Sequence, residues 1–241
     1  MIDYTLLVPA SPKFGPLLNN LKNSYEKYRS SFANDMIIFG HDTRTSCYQS
    51  KMLDMLPMLE SLSSEFIVVV DAFDLILNKP LNETLFKDFD KNPNLEFMFG
   101  AETNCFPYPE HKELFSAQAR STSLKYLNGG VIISKRERYI EVLKDALDPH
   151  KYSQHEFLRN SDQVLYTRLY KDSLEREDNK VVIDCEARIS LQMFRLERDK
   201  DYTLNDEKQL TFLETGNIPF FVHFNGDGKN QMHHFDIEYG K

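Results

Sequence analysis

Two carboxylates three residues apart, Asp71 and Asp74, follow a purely apolar run, Phe66-Ile67-Val68-Val69-Val70. Hard oxygen ligands paired in this way suit Mg²⁺ or Mn²⁺ holding a diphosphate. A second segment, His223-Phe224-Asn225-Gly226-Asp227-Gly228-Lys229, places a histidine, a glycine-permitted tight loop and a lysine in succession. Imidazole can complete a metal site begun by two carboxylates, and backbone N–H groups with a lysine can hold a diphosphate. The plainer readings are that Asp71 caps a turn, Asp74 is a solvated loop charge, His223 is a hydrogen-bonded structural residue and Asn225-Gly226 a simple turn.

The elements that must position these groups are legible in the hydrophobic pattern. Five apolar, mostly β-branched residues before Asp71 read as a strand buried on both faces, as in parallel sheets covered by helices. Ligands of such sheets bind at the carboxyl ends of the strands, where Asp71 and Asp74 fall. Thr5-Leu6-Leu7-Val8 running into Pro9-Ala10-Ser11-Pro12, and Met36-Ile37-Ile38-Phe39 before Gly40, predict two earlier strands with a helix between them. Met52, Met55, Leu56, Leu59 and Leu62 recur at helical spacing and complete a βαβαβ pattern.

Further strands are predicted at Phe97-Met98-Phe99, ending at Glu102, and at Val131-Ile132-Ile133, preceded by Asn128-Gly129-Gly130. Ile140, Leu143 and Leu147 mark a helix. Another runs from Asp162-Gln163 to Tyr170, with Asn160, Ser161 and Asp162 as cap candidates. Val181-Val182-Ile183-Asp184 and Pro219-Phe220-Phe221-Val222 are late strands, the second terminating at His223.

With 241 residues, 41% hydrophobic and 27% charged, the chain reads as one α/β domain spanning 1–241 with no linker or repeat. A net charge of −8 argues against nucleic acid as a partner, since phosphate neutralisation needs a clustered basic surface. Neither a signal peptide nor a membrane anchor is read at Met1-Ile2-Asp3-Tyr4, so an intracellular, soluble protein is expected. Cys47, Cys105 and Cys185 lack metal-site spacing and cannot all pair. Asn82-Glu83-Thr84 is read as a chance match to a glycosylation acceptor.

Taken together these segments resemble the glycosyltransferase domain of the multifunctional procollagen lysyl hydroxylases, which has the GT-A fold with a Rossmann-like, mostly parallel sheet. The matching motifs are Val70-Asp71-Ala72-Phe73-Asp74-Leu75-Ile76-Leu77, Ala101-Glu102 with Cys105-Phe106-Pro107, Leu127-Asn128-Gly129-Gly130, Asp162 through Tyr170, and His223-x-Asn225-Gly226-x-x-Lys229. The resemblance implies a Mn²⁺ site built from Asp71, Asp74 and His223 with a UDP-sugar across it. By the same matching, Phe73 packs on the uracil, where the family usually has Tyr. Lys51, Asn225, Gly226 and Lys229 face the diphosphate, and Val8 and Ser11 sit near the nucleoside. Glu102, Asn128, Asp162 and Gln163 form the sugar-facing wall, with Asp162 the foremost catalytic candidate.

The family has Trp where Phe106 stands and a longer acidic run where Asn160-Ser161 precede Asp162. The resemblance does not extend to the family's oxygenase half within these 241 residues. His234-Phe235-Asp236 mimics the start of an iron-binding triad, but no distal histidine follows, and the triplet is read as coincidence. Asp184 and Arg188 match a further family stretch and are explained equally by a structural salt bridge. A free-standing domain of this kind looks more like the intracellular viral relatives, which act on collagen-like proteins in the host cytoplasm.

The reaction so implied moves glucose from UDP-glucose to the 2-hydroxyl of galactosyl-hydroxylysine in collagen or a collagen-like protein, with retention. The alternatives are an inverting hydroxylysine galactosyltransferase, which would need a general base, and a non-catalytic module that binds UDP or collagen. Neither a membrane nor nucleic acid is expected as a partner, and homo-oligomerisation is left open.

Overall fold

The computed structural model describes residues 2–10, 18–29, 35–41, 50–118, 122–148, 150 and 161–237. Every residue of β3 (Phe66–Val70) is buried, as its apolar run predicts. β3 lies near the middle of a six-stranded sheet with β1 (Tyr4–Pro9), β2 (Met36–Phe39), β5 (Phe97–Glu102), β6 (Tyr126–Lys135) and β7 (Val181–Ile183). The order is β2-β1-β3-β6-β5-β7. Pairings β1–β2, β1–β3 and β5–β7 are parallel, while β6 runs antiparallel to both β3 and β5.

Side chains alternate across this sheet as a two-residue period requires. Leu6, Val8, Val68, Val70, Val131 and Ile133 enter one apolar layer, with Leu21 and Tyr25 of α1 (Asn19–Tyr28) and Phe89 of α3 (Lys87–Lys91). Leu7, Ile67, Val69 and Ile132 enter the other. That layer is covered by α2 (Met55–Glu60), α4 (Lys112–Gln118), α5 (Arg136–Ala146) and α6 (Gln163–Arg176).

The helical pattern from Met52 is split. Ser50–Asp54 form a π-helical turn ahead of α2, and this wider turn carries Lys51 into the interior. At the head of α6, Ser161 Oγ accepts the Gln163 N–H at 3.1 Å, so of the described cap candidates Ser161 caps and Asp162 does not. Asn160 lies outside the described residues.

Four short strands, β4 (Leu75–Leu77), β8 (Ser190–Gln192), β9 (Tyr202–Leu204) and β10 (Leu210–Phe212), lack a periodic signal in the sequence, whereas β11 (Phe221–His223) is an expected strand. β4, β11 and β8 form a second sheet in the order β4-β11-β8. β9 and β10 make an antiparallel pair. Asp184 proves structural: its carboxylate accepts the backbone N–H groups of Arg188, Ile189 and Ser190. Arg188 pairs in turn with Asp88 at 2.7 Å. Among the described residues no helix is long and apolar enough to cross a membrane.

Candidate active site

The second sheet brings the two informative segments of the sequence together. Antiparallel pairing of β11 with β4 sets His223 opposite Leu75, one residue from Asp74, and the Phe224 N–H donates to the Asp74 carbonyl at 2.7 Å. On the main sheet β3 ends at Val70, and the Asp71 N–H donates to the Gly130 carbonyl at 2.8 Å. His223 Nε2 is thereby 3.4 Å from both Asp71 Oδ2 and Asp74 Oδ1.

One ligand atom from each of Asp71, Asp74 and His223 lies within 4.8 Å of the others, the single such group among the described residues. Adjacent ligands of an octahedral cation with bonds of roughly 2.1 Å are about 3 Å apart, close to the 3.4 Å from His223 Nε2 to each carboxylate, so the group could hold one ion. Two carboxylate oxygens and one imidazole nitrogen suit Mn²⁺ or Mg²⁺. Burial would push Asp74 up, but His223 and Lys229 outweigh it and hold the carboxyl far below its ordinary range. Lys229 Nζ stands 3.0 Å from Asp74 Oδ2.

The bulge in β6 shapes this region. Pairing with β5 slips between Phe99 and Gly100, so that Phe99 faces Ile132 while Gly100 faces Asn128. The displaced Gly130 touches His223: a Cβ there would lie 2.2 Å from the ring. Only glycine permits that approach.

Lys51 departs from its expected place. It is 2% exposed, and its Nζ contacts the Gly129 carbonyl at 2.8 Å, Asp71 Oδ1 at 2.7 Å and Asp162 Oδ2 at 3.0 Å. Burial alone would lower its pKa, yet Asp162 and Asp71 raise it, so the ammonium is locked on. Its charge is met by the two carboxylates and the Gly129 carbonyl beneath the site.

Glu102 organises the sugar-side candidates. Its Oε1 accepts from Asn128 Nδ2 at 2.9 Å and Gln163 Nε2 at 3.3 Å, and its Oε2 from Asn225 Nδ2 at 3.1 Å. Burial raises its pKa against these three donors. Gln163 also donates to the carbonyls of Phe106 and Leu127. Four residues named from separate motifs thus share one hydrogen-bonded network.

The sequence matches the family model of the PLOD GT domain over residues 20–239. The chain belongs to the PLOD glycosyltransferase-domain family. It is 26% identical over 187 residues to uncharacterized protein R699 of Acanthamoeba polyphaga mimivirus, a match covering 77% of this chain and 37% of that protein. It is 22% identical over 187 residues to the multifunctional procollagen lysine hydroxylase and glycosyltransferase of Caenorhabditis elegans, covering 75% and 24% respectively. The chain therefore matches only about a quarter to a little over a third of the length of these curated relatives. A glycosyltransferase involved in glycosylation of the major capsid of PBCV-1 superposes with a TM-score of 0.62 at 15% identity, covering 98% of this chain and 100% of that one. The fold is that of GT-A glycosyltransferases, with a mixed, mostly parallel sheet.

In this PLOD-family glycosyltransferase domain the remaining expected residues are placed as follows. Phe73 is half-buried between Asp71 and Asp74 and packs on the apolar layer of β1. Gly226 takes a left-handed backbone (φ 52°) at the start of the 3₁₀ segment Gly226–Phe235 that carries Lys229. Asn225 turns inward: its Oδ1 accepts the Phe194 N–H at 3.1 Å while its amide nitrogen serves Glu102. Val8 is fully buried in the core among the described residues. Ser11 lies outside the described residues.

Two residues of the PLOD-family site carry no sequence signal. Gln192 and Ser190 are fully buried on β8, beside His223, in a strand too short to show a period. His234 and Asp236 lie apart from the metal-ligand group, Asp236 being 3.7 Å from Lys208.

Proposed function

We propose that the chain is a Mn²⁺-dependent glucosyltransferase that moves glucose from UDP-glucose to the 2-hydroxyl of galactosyl-hydroxylysine in collagen or a collagen-like protein, with retention. The observation that carries this reading is the convergence of Asp71, Asp74 and His223 with Lys229 alongside. A cation held by the three ligands would supply Lewis-acid stabilisation of a diphosphate leaving group. Family membership supports the sugar-transfer chemistry, and the collagen acceptor rests on the resemblance and on the nematode relative. The likeness to R699 supports a virus-type protein.

Each residue then has a task. Lys229, with its side chain 35% exposed, adds positive charge where the diphosphate would lie. Phe73 offers a ring to the base. Asp162, tethered to Lys51, and the Glu102 network with Asn128 and Gln163 orient donor sugar and acceptor hydroxyl. Glu102 is engaged by three amides and Asp162 by an ammonium, which makes each a poor covalent nucleophile. That favours departure and attack on one face of the sugar over double displacement, with a UDP oxygen helping to take the acceptor proton.

The test is UDP release from a panel of UDP-sugars with Mn²⁺, with and without a galactosyl-hydroxylysine peptide. The reading expects UDP-glucose and that peptide to give the fastest release. Preference for UDP-galactose with bare hydroxylysine would replace it with the galactosyltransferase, and no turnover with any donor would leave a binding module.

A further inference from the structure

We propose that Gln192 is the positioning residue that fixes the ring tautomer of His223 and so aims its Nε2 lone pair at the carboxylate pair. A ligating histidine must offer an unprotonated nitrogen, and which nitrogen that is depends on the partner of the other. His223 Nδ1 faces two side-chain amides, Gln192 Oε1 at 2.8 Å and Asn128 Oδ1 at 3.2 Å.

The orientation of one of these amides is determined by the backbone. Asn128 Oδ1 accepts the Gly130 N–H at 2.8 Å, and a backbone N–H can only donate, so the atom facing His223 from Asn128 is oxygen. Nδ1 must therefore carry the hydrogen, and Gln192 must meet it with its own oxygen. The Gln192 amide nitrogen then donates to Ser190 Oγ at 2.8 Å, which satisfies the other end of the side chain. With Nδ1 protonated, Nε2 is left to Asp71 and Asp74.

The slot is built for this contact. Gln192 and Ser190 are both 0% exposed, and parallel pairing of β8 with β11 sets Gln192 opposite His223. On the far side Gly100 leaves room, since a Cβ there would fall 2.1 Å from Gln192 Nε2. Gln192 gives the shorter of the two Nδ1 contacts, so its loss leaves only the longer one to Asn128.

This inference rests on the metal site proposed above, and two measurements separate the two claims. In metal-free, ¹⁵N-histidine-labelled protein at alkaline pH, His223 should show a pyrrole-type Nδ1 and a pyridine-type Nε2, assigned by the resonances lost in His223→Gln. The reverse pattern overturns the inference without any change at Gln192. Mn²⁺ binding followed by electron paramagnetic resonance should weaken roughly 10- to 100-fold in Gln192→Met, the usual effect of losing such an outer partner. Gln192→Glu, which keeps an acceptor, should restore near wild-type affinity. Wild-type affinity in Gln192→Met would overturn the role of Gln192 alone, whereas wild-type protein that binds no Mn²⁺ would overturn the metal site and this role with it. If Gln192→Met fails to fold, the reverse pattern in the wild-type spectrum still overturns the inference, and Gln192→Glu still reports on the Nδ1 partner.

Discussion

Lys51 Nζ lies 2.7 Å from Asp71 Oδ1 and 3.0 Å from Asp162 Oδ2, so one buried ammonium joins a carboxylate of the proposed metal site to one proposed to face the sugar. The other oxygen of Asp71 faces His223. Movement of Asp162 is thereby tied to the ligand set, and the two halves of the site are held in a common frame by a single cation of the chain itself.

Removing that cation should be costly for folding. Lys51→Met leaves two carboxylates without their counter-charge, and breaking a buried pair from one side typically costs ~3–5 kcal/mol. Urea denaturation should show a loss of that size, and Asp162→Asn added to Lys51→Met should recover part of it. A change within about 0.5 kcal/mol would instead place the lysine's work on the bound diphosphate.

Metal binding should depend on pH through His223. Burial would lower its pKa, but Asp74 and Asp71 outweigh burial and raise it above the ordinary value. A proton at Nε2 competes with a cation, so Mn²⁺ affinity should be full at alkaline pH and fall as pH drops through a value above ~6.5. Without metal the sign reverses for stability: the imidazolium's contribution is fully present below ~6.5 and lost as pH rises through the raised folded-state value. Mn²⁺ titrations across this range should show the dependence in wild type; a flat profile would remove His223 from the ligands.

Lys229 should act on phosphate. Lys229→Ala is expected to weaken UDP and UDP-glucose alike and leave uridine nearly unchanged, as isothermal titration would record. Equal losses for uridine and UDP would reassign the lysine to the nucleoside or to the fold around Asp74.

Asp162 should matter in the transition state. Asp162→Asn is expected to lower transfer by roughly 100-fold or more while Mn²⁺ and UDP binding stay unchanged, because the contacts at issue are made mainly as the bond changes. Parallel loss of UDP binding would limit the residue's part to the frame it shares with Lys51 and remove it from the transition state.

The central strand and its two aspartates were legible because a five-residue apolar run ending in carboxylates has few other readings. The bulge at Asn128-Gly129-Gly130 was visible only as a motif, since its reason, contact with His223, is a long-range one. Lys51 could be marked as a site residue, but its burial could not be foreseen. It depends on a π-helical turn and on Asp162, over a hundred residues away. Gln192 gave no signal at all: β8 is three residues long, and nothing in Ser190-Leu191-Gln192 distinguishes a ligand's partner from a turn. Val8, which the resemblance places near the nucleoside, contributes a side chain that is buried in the core.

The most direct measurement is the linkage of the product formed from UDP-glucose, Mn²⁺ and a galactosyl-hydroxylysine peptide, read by nuclear magnetic resonance of the anomeric proton. An α-linked glucosyl residue on the galactose 2-hydroxyl, absent with EDTA, is the result this account predicts. A β-linked galactosyl product formed from UDP-galactose on bare hydroxylysine, with no transfer to the galactosylated peptide, would contradict it and make Asp162 a candidate general base.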